Sequence, residues 1–203
     1  MEYGLEENRV VLAGCVESEP VFSHRVRESE FYKFYLAVAR TSGTEDILPV
    51  LAERSRIPEE LTPGRFALVT GQIRSFTFRS TDGTERLLTN AYGRSITLLD
   101  FPAQKNQVEL IGQVLRPPVY RTTPRLREIT DLLLAVPRSF QKVDHVPVIA
   151  WGTHARAAGE LAVGDRIRLI GRLQSRSYQK RLPDGTVKEK FTYEVSCTSF
   201  PLL

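Results

Sequence analysis

Hydrophobic and polar residues alternate along several stretches of this 203-residue chain, which is the pattern of strands with one buried face. Apolar side chains and a glycine occupy every second position of the segment 107–114. Similar patterns predict second strands at 31–40 and 126–136, and third strands at 47–52 and 143–151. The pattern therefore predicts a protein built mainly from strands.

The same pattern occurs twice along the chain. The segment 8–22 reads NRVVLAGCVESEPVF and the segment 106–120 reads NQVELIGQVLRPPVY, with seven of fifteen positions identical at an offset of 98. The likeness continues to Gly71 and Gly171, two mid-strand glycines that predict bends or bulges. A period of about 100 residues is too long for a solenoid and indicates two duplicated domains. The predicted domains are 1–100 and 106–203, joined by the linker 101–105.

Each copy has the same order of elements. Residues 53–61 and 154–161 predict a short helix after the third strand. The sequences STDGTE and LPDGTV each place Asp-Gly between two strand patterns, which predicts a hairpin joining the fourth and fifth strands. Five strands with a helix after the third is the plan of the OB barrel. We therefore predict an all-β chain of two tandem, five-stranded Greek-key OB barrels, each with a short helix between strands 3 and 4.

Charge is divided unequally between the two copies. The net charge is +4 for the whole chain, but residues 1–100 carry 12 Lys and Arg against 15 Asp and Glu, whereas residues 101–203 carry 16 against 9. The second half therefore has a net charge of +7 and the first half −3. This asymmetry predicts a polyanionic partner for the second half, with a merely solvated basic surface as the alternative.

The basic residues of the second half concentrate on one predicted strand face and its hairpin. Strand parity places Arg166, Arg168, Arg172, Arg176 and Tyr178 on one face. The predicted hairpin adds Lys180, Arg181, Lys188 and Lys190. Cations and aromatic rings together hold phosphates and stack on bases, so these residues are candidate DNA contacts, although they could also only solubilise an exposed strand.

The first copy differs at the equivalent face. There Phe66, Leu68, Gln72 and Phe76 replace the four arginines, and Arg74 is the one basic residue of that stretch. A face this apolar predicts either a stacking platform or packing against another OB domain. Tyr35 with Lys33 predicts a small platform elsewhere in this domain, or an ordinary sheet surface.

Four segments of the second half carry a resemblance to a known family. They are NQVELIGQVLRPPVY, LLLAV, HVPVIAWG and VGDRIRLIGRLQSRSYQ, in register. In these segments the chain resembles the bacterial single-stranded DNA-binding protein family (SSB). The first half keeps the opening segment, FYLAVAR and PGRFALVTGQIRSFTF, but its third strand, ILPVLAE, lacks the family's aromatic-glycine ending and looks like a diverged copy.

The resemblance implies a function and some of its residues. It implies binding and protection of single-stranded DNA in replication, recombination or repair, with four OB domains assembled here from a homodimer. Trp151 matches a base-stacking position of the family, Tyr178 and Phe78 match the stacking aromatic of the fourth strand, and Phe140 matches another aromatic position loosely. The alternative roles are a buried core indole for Trp151 and hairpin packing for Tyr178 and Phe78.

The remaining expectations concern partners, chemistry and location. Primosomal replication protein B is a related family that offers a replication-restart role, and an OB interaction scaffold without nucleic acid is a third possibility. Replication or repair proteins are possible partners, but the sequence ends SFPLL without the acidic tail through which the family recruits them, which puts tail-mediated recruitment in doubt. We expect no catalysis, cofactor or metal, because no phosphate-binding loop or metal-binding motif occurs. The sequence pattern predicts no signal peptide or membrane span, and therefore a cytoplasmic protein. The resemblance implies that it is bacterial and associated with the nucleoid.

Overall fold

Twelve strands form two similar domains in the computed structural model, which describes residues 8–79, 83, 85–181 and 185–203. The side chains of residues 178–181 and 188–190 lie outside that description. The first domain contains β1 Asn8–Val16, β2 Val21–Val26, β3 Ser29–Ala39, β4 Glu45–Glu53, a 3-10 helix at Arg54–Arg56, β5 Phe66–Arg79 and β6 Glu85–Leu99. The second contains β7 Lys105–Val114, β8 Val119–Thr122, β9 Glu128–Arg138, β10 Lys142–Trp151, helix α1 Thr153–Gly159, β11 Arg166–Arg181 and β12 Val187–Ser199.

Five strands of each domain close into a barrel. In the first domain β1 pairs with β3 and with β5, β3 pairs with β4, and β6 pairs with β5 and, in parallel, with β4. The strands β7, β9, β10, β12 and β11 repeat this closed circuit in the second domain. Alternate side chains such as Phe34 and Leu36 fill the barrel and are fully buried. The prediction of two tandem OB barrels is confirmed.

Two short strands lie outside the barrels. β2 pairs antiparallel with β3, and β8 pairs antiparallel with β9, each at the edge of the combined sheet. Both follow the repeated opening segment, which therefore continues from the first barrel strand to an edge strand in both copies.

An α-helix follows the third barrel strand only in the second domain. In the first domain the helix predicted at 53–61 is reduced to the 3-10 turn Arg54–Arg56. Ile57 precedes Pro58, and the residue before a proline avoids helical conformation. Ile57 is accordingly extended, with φ −93° and ψ 117°. In the second domain the alanine-rich sequence THARAAG forms α1 because alanine has the highest helix propensity, and Ala155 and Ala158 are fully buried.

The two barrels share one continuous sheet through antiparallel pairing of β1 with β7. Val10 pairs with Val108, its own equivalent in the repeat, and Asn8 pairs with Leu110 as Leu12 pairs with Asn106. An antiparallel pair centred on equivalent residues relates the domains by an approximate twofold axis. The duplicated chain is therefore a covalent pseudo-dimer.

The repeated asparagine at the start of each copy has a structural role. The Asn8 Nδ2 group donates to the Ile73 carbonyl at 2.8 Å, and the Ile73 amide donates to Asn8 Oδ1 at 2.8 Å. Asn106 makes the same pair with Leu173, at 2.6 and 2.8 Å. Each side-chain amide thus continues the backbone ladder to the neighbouring strand, and its loss would leave a buried polar backbone unsatisfied.

The two cysteines are free thiols, Cys15 half-buried and Cys197 buried. Burial raises the pKa of the Cys197 thiol to about 11, so this thiol stays protonated at neutral pH.

Among the described residues, no helix has the length and apolar character needed to cross a bilayer.

Candidate nucleic-acid interface

The first part of β11 has the predicted parity. Ile167, Leu169 and Leu173 point into the barrel and are fully buried, whereas Arg166 and Arg168 are exposed on the outer face of the sheet. Arg168 Nε donates to Glu109 Oε1 on the neighbouring strand β7 at 2.7 Å. Arg168 is 49% exposed and Glu109 is 22% exposed. A pair this open to solvent contributes only about 1 kcal/mol, so a phosphate can replace the carboxylate at little cost.

Arg172, further along β11, lies at the interface with the first domain. Its Nη1 donates to Oδ2 of Asp46 at 3.3 Å, and the carboxylate of Asp46 is 1% exposed. Arg40 Nε donates to the same oxygen at 2.8 Å, and the Ser175 amide donates to Oδ1 at 2.8 Å. One buried carboxylate therefore joins both domains; we call this group the Asp46 clasp.

The repeat makes the reciprocal contact. Asp144, 0% exposed, accepts from Arg74 Nη1 at 2.8 Å and from the Ser75 amide at 2.8 Å, both in the first domain. Arg138 lies 3.5 Å from the other side of the same carboxylate. This group is the Asp144 clasp, and it relates to the Asp46 clasp through the approximate twofold axis.

Two of the candidate DNA contacts, Arg74 and Arg172, belong to the clasps. Burial lowers the pKa of the Arg74 and Arg172 guanidiniums, but arginine titrates so far above neutrality that both stay charged. Moving either guanidinium to a phosphate would leave a buried carboxylate short of a partner, which is expensive. Both residues are placed where they join the domains, and their contact with DNA stays a prediction.

An open groove of about 680 Å³ runs between the two domains. Its walls combine exposed apolar rings and aliphatic side chains with cations. Phe78 is 38% exposed and Phe191 is 56% exposed. We call it the interdomain groove. The first domain contributes Thr77, Phe78, Glu85, Arg86, Leu87 and Leu88, and the second contributes Arg116, Leu133, His145, Pro147, Phe191 and Thr192.

Sequence reasoning found only Phe78 among these groove residues. Phe191, His145 and Arg116 come from three different parts of the second domain and meet Phe78 only because the barrels are joined through β1 and β7. The parity of a strand shows which face a side chain occupies but not which domain covers that face. No pattern in the sequence could therefore have selected them.

Trp151 borders a second open pocket, of about 800 Å³, at the end of β10. The indole is half-buried, so it is not a core side chain. Glu128, in the same pocket, accepts from the Tyr120 hydroxyl at 2.5 Å and from Arg156 Nε at 2.9 Å. The bond from Arg156, followed by the bond from Tyr120, lowers the pKa of the Glu128 carboxyl. An indole face beside Arg127 and Arg156 suits a base and its phosphate.

The other described candidates are scattered. Phe140 stands at the tip of the loop between β9 and β10, 93% exposed. Lys33 Nζ lies 4.8 Å from the centre of the Tyr35 ring on the outer face of β3. Arg176 Nε lies 3.4 Å from Glu194.

The remaining candidates lie on the β11–β12 hairpin arm. The backbones of Tyr178 and Lys190 pair, as do those of Lys180 and Lys188, and of Arg181 and Val187. The side chains of Tyr178, Lys180, Arg181, Lys188 and Lys190 lie outside the described part of the structure. The hairpin turns at 80–82, 84 and 182–184 also lie outside it, although the strands on both sides pair as predicted.

The second barrel matches one family model over its full length. The model is that of the single-strand binding protein family, and it matches residues 105–203. Residues 105–203 belong to the single-strand binding protein family. The first barrel lies outside that match.

Curated relatives also match less than half of this chain. The single-stranded DNA-binding protein of Clostridium tetani is 38% identical over 88 residues, covering 40% of this chain and 59% of that protein. Single-stranded DNA-binding protein 1 of Staphylococcus aureus is 31% identical over 105 residues, covering 48% and 60%. The chain thus spans about three fifths of the length of these relatives.

A solved structure matches both barrels. A deletion mutant of the single-stranded DNA binding protein from Thermus aquaticus aligns with 100% of this chain and 96% of its own, with a TM-score of 0.75 and 25% identity. The wild-type protein from the same organism aligns with 97% of this chain, with a TM-score of 0.75 and 24% identity. The tandem arrangement of the two OB barrels therefore occurs in a single-strand binding protein.

Proposed function

We propose that this chain binds single-stranded DNA, largely without sequence preference, and shields it during replication, recombination or repair. The observation that carries the proposal is the interdomain groove, in which rings and cations of both barrels meet. The family match of the second barrel and the full-length likeness to a single-stranded DNA binding protein support the same ligand. Such a role would be performed in the bacterial cytoplasm, at the nucleoid.

Binding of this kind needs no chemistry. Bases stack on aromatic rings at about 1–3 kcal/mol per base, and cations follow the phosphates. Phe78, Phe191 and Trp151 present exposed or half-exposed rings for stacking. The exposed Arg166 and Arg168 are better suited to phosphates than Arg74 and Arg172, because the latter two hold buried carboxylates. No bond of the strand is made or broken.

Titration with oligo-dT tests this function through the fluorescence of Trp151, the one tryptophan of the chain. We expect quenching on binding and a fall of log K with log salt of about 0.7 per phosphate, near −4 if six phosphates are contacted. Replacing Trp151 with leucine should weaken binding about 5- to 150-fold, the equivalent of 1–3 kcal/mol.

The control is Trp151→Phe, which keeps a ring and should retain most of the affinity while losing the fluorescence signal. Binding of both Trp151 variants is followed by the anisotropy of a labelled oligonucleotide, because neither retains a tryptophan. Absence of both quenching and salt-sensitive binding in the wild-type protein would overturn the proposed function. Tighter binding to duplex than to single strands would also contradict it.

We further propose that two copies associate to give four OB barrels. The first domain presents half-exposed apolar side chains, including Phe66 and Leu68, on the outer face of the sheet formed by β6, β5, β1, β7 and β11. A second copy packed there would cover them. Arg166 and Arg168 lie on the same sheet face, so in this assembly they would border the partner copy.

Light scattering tests the assembly. We expect twice the mass of the 23.0 kDa chain for the wild-type protein and a single-chain mass for Leu68→Glu, because a buried unpaired carboxylate opposes association. Val163→Glu, at an exposed position in the second domain, is the control and should retain the doubled mass. A 23.0 kDa mass for the wild-type protein would contradict the proposal.

A further inference from the structure

Three rings of the first domain form a row on the outside of its barrel. His24 on β2 stacks on Phe31 of β3, with ring centres 4.9 Å apart and planes 10° apart. Phe31 in turn lies 6.3 Å from Tyr92 of β6, at 37°. The guanidinium of Arg74 on β5 lies 5.9 Å from the Tyr92 ring. We call His24, Phe31 and Tyr92 the ring row.

Strand parity places the ring row on the face that points to water. Phe34 and Leu36 on β3 point into the barrel and are fully buried. Phe31 has the opposite parity and shares the outer face with Lys33 and Tyr35, whose cation–ring contact is 4.8 Å. Phe31 and Tyr92 are half-buried and His24 is exposed. Solvent therefore reaches all three rings.

The fold itself does not require these rings. The repeat and the strand pairing give Phe31 and Tyr92 the equivalents Ile129 and Ser196 in the second domain, where the same barrel closes without them. Lys33 has the equivalent Asp131. The three rings of the row therefore belong to the first domain alone, and closure of the barrel does not require them. Beside the corresponding strands the second domain has Trp151, Arg127 and Arg156 instead.

The charges around the ring row favour an anionic strand. The nearby carboxylates already have partners, since Glu30 accepts from Arg25 and Glu53 accepts from Ser29 and from Arg56. Lys33 is placed beside a ring, the arrangement in which a cation contacts a phosphate while the ring stacks on the base. In OB folds generally, the outer face of barrel strands 2 and 3, which are β3 and β4 here, binds nucleic acid.

The spacing of the rings suits bases. The row crosses β2, β3, β4 and β6, three strand gaps of about 4.8 Å, or roughly 14 Å in total. The outer face of His24 is open to extend the stack. Holding a base between two rings needs about 7 Å, twice the contact distance of about 3.5 Å, and the Phe31 and Tyr92 centres are already 6.3 Å apart.

We propose that the ring row is a second single-strand site, in which bases stack on His24, Phe31 and Tyr92 while Lys33 contacts a phosphate. The inference rests on the proposed function and adds a first-domain site that the family match, confined to residues 105–203, does not reach. A long strand then contacts both barrels, and the acidic first domain takes part through stacking more than through charge.

The test uses Phe31→Leu and Tyr92→Leu in the full chain. Each variant keeps an apolar side chain and removes a ring, and Phe101→Leu, at a 63% exposed phenylalanine of the linker, is the matched control. With oligo-dT of about 32 nucleotides, enough for two OB sites, each ring-row variant should bind about 5- to 150-fold more weakly than the wild type. The control should bind as the wild type does. Trp151 quenching by a short oligo-dT of about 8 nucleotides should be unchanged in all three variants.

Photocrosslinking of the wild-type protein to iodouridine-substituted oligo-dT needs no variant and reports position directly. Crosslinks at Phe31, Tyr92 or His24 support the site. Crosslinks at none of these three residues, or wild-type affinity in both ring-row variants, would overturn it while leaving the proposed function intact. Failure of the wild-type chain to bind any oligonucleotide would instead overturn both.

Discussion

Replacing Asp144 with alanine should lower the free energy of unfolding by about 3–5 kcal/mol, the effect of removing one partner of a buried charge cluster. The carboxylate is 0% exposed and accepts from Arg74 and from the Ser75 amide, both at 2.8 Å. Without it, two guanidiniums and a backbone amide at the domain interface lose their acceptor. For a chain of this size the melting temperature should fall by roughly 6–20 °C.

Asp131 offers the matched control, because in its pair with Arg121 at 2.8 Å the carboxylate is 31% exposed and the arginine 45% exposed. Asp131→Ala should change the stability by less than about 1 kcal/mol. Asp144→Asn should lie between the two, since it keeps an acceptor for the Ser75 amide and loses the charge. Urea unfolding of the three variants provides the measurement, and equal stabilities for Asp144→Ala and Asp131→Ala would contradict the role of the clasp.

The same substitution should affect DNA binding, because the Asp144 clasp adjoins the interdomain groove. The amide of His145, a groove residue, donates to the Ser75 hydroxyl at 2.7 Å. Releasing the clasp therefore removes one tie between β5, which carries Phe78, and β10, which carries His145. Folded Asp144→Ala protein should bind long oligo-dT more weakly than Asp131→Ala protein.

The barrels could be predicted from the sequence because the patterns that define their strands are local in the chain. Alternation selects the buried faces of the strands, and the repeat shows where one barrel ends and the next begins. The mid-strand glycines were predicted to mark bends or bulges, and register shifts occur at Gly71 and at Gly171. The helix at 53–61 failed for an equally local reason, since Pro58 holds Ile57 in an extended conformation.

The interface between the barrels could not be predicted because its partners are distant in sequence. The repeat preserves Arg40 and Arg138 and also Ser75 and Ser175, but nothing in either copy shows that each serine amide meets the carboxylate of the other domain. Arg172 has the parity expected of a surface cation, and yet the first domain covers it. Parity describes one strand, whereas a binding surface is decided by everything packed around that strand.

For the same reason, the sequence identified some of the candidate aromatic residues and missed others. Trp151 and Phe78 were found from the resemblance, and each borders an open pocket or groove. Phe31 and Tyr92 occupy positions that are aliphatic or polar in the second domain, so a resemblance carried by that domain could not select them. Their proximity depends on the parallel pairing of β4 with β6, which brings distant segments side by side.

Replacing Gly71 with alanine should destabilise the first barrel by at least about 3 kcal/mol, at the upper end of the range for overpacking a core. A Cβ at this position would lie 1.9 Å from the carbonyl oxygen of Tyr92, and backbone cannot move aside as a side-chain end can. The register shift between Thr70 and Gly71 brings the two strands this close. Denaturant unfolding of Gly71→Ala against wild type measures the effect.

Gly93, the cross-strand partner of Gly71, is the internal control. A Cβ there would lie 3.4 Å from Val69 Cγ1, an ordinary contact, so Gly93→Ala should change stability by less than about 1 kcal/mol. Equal unfolding midpoints for the two variants would show that β5 and β6 separate easily at the bulge. Because the arm of β5 beyond Gly71 carries Phe78 to the interdomain groove, Gly71→Ala should also weaken binding of long oligo-dT, whereas Gly93→Ala should not.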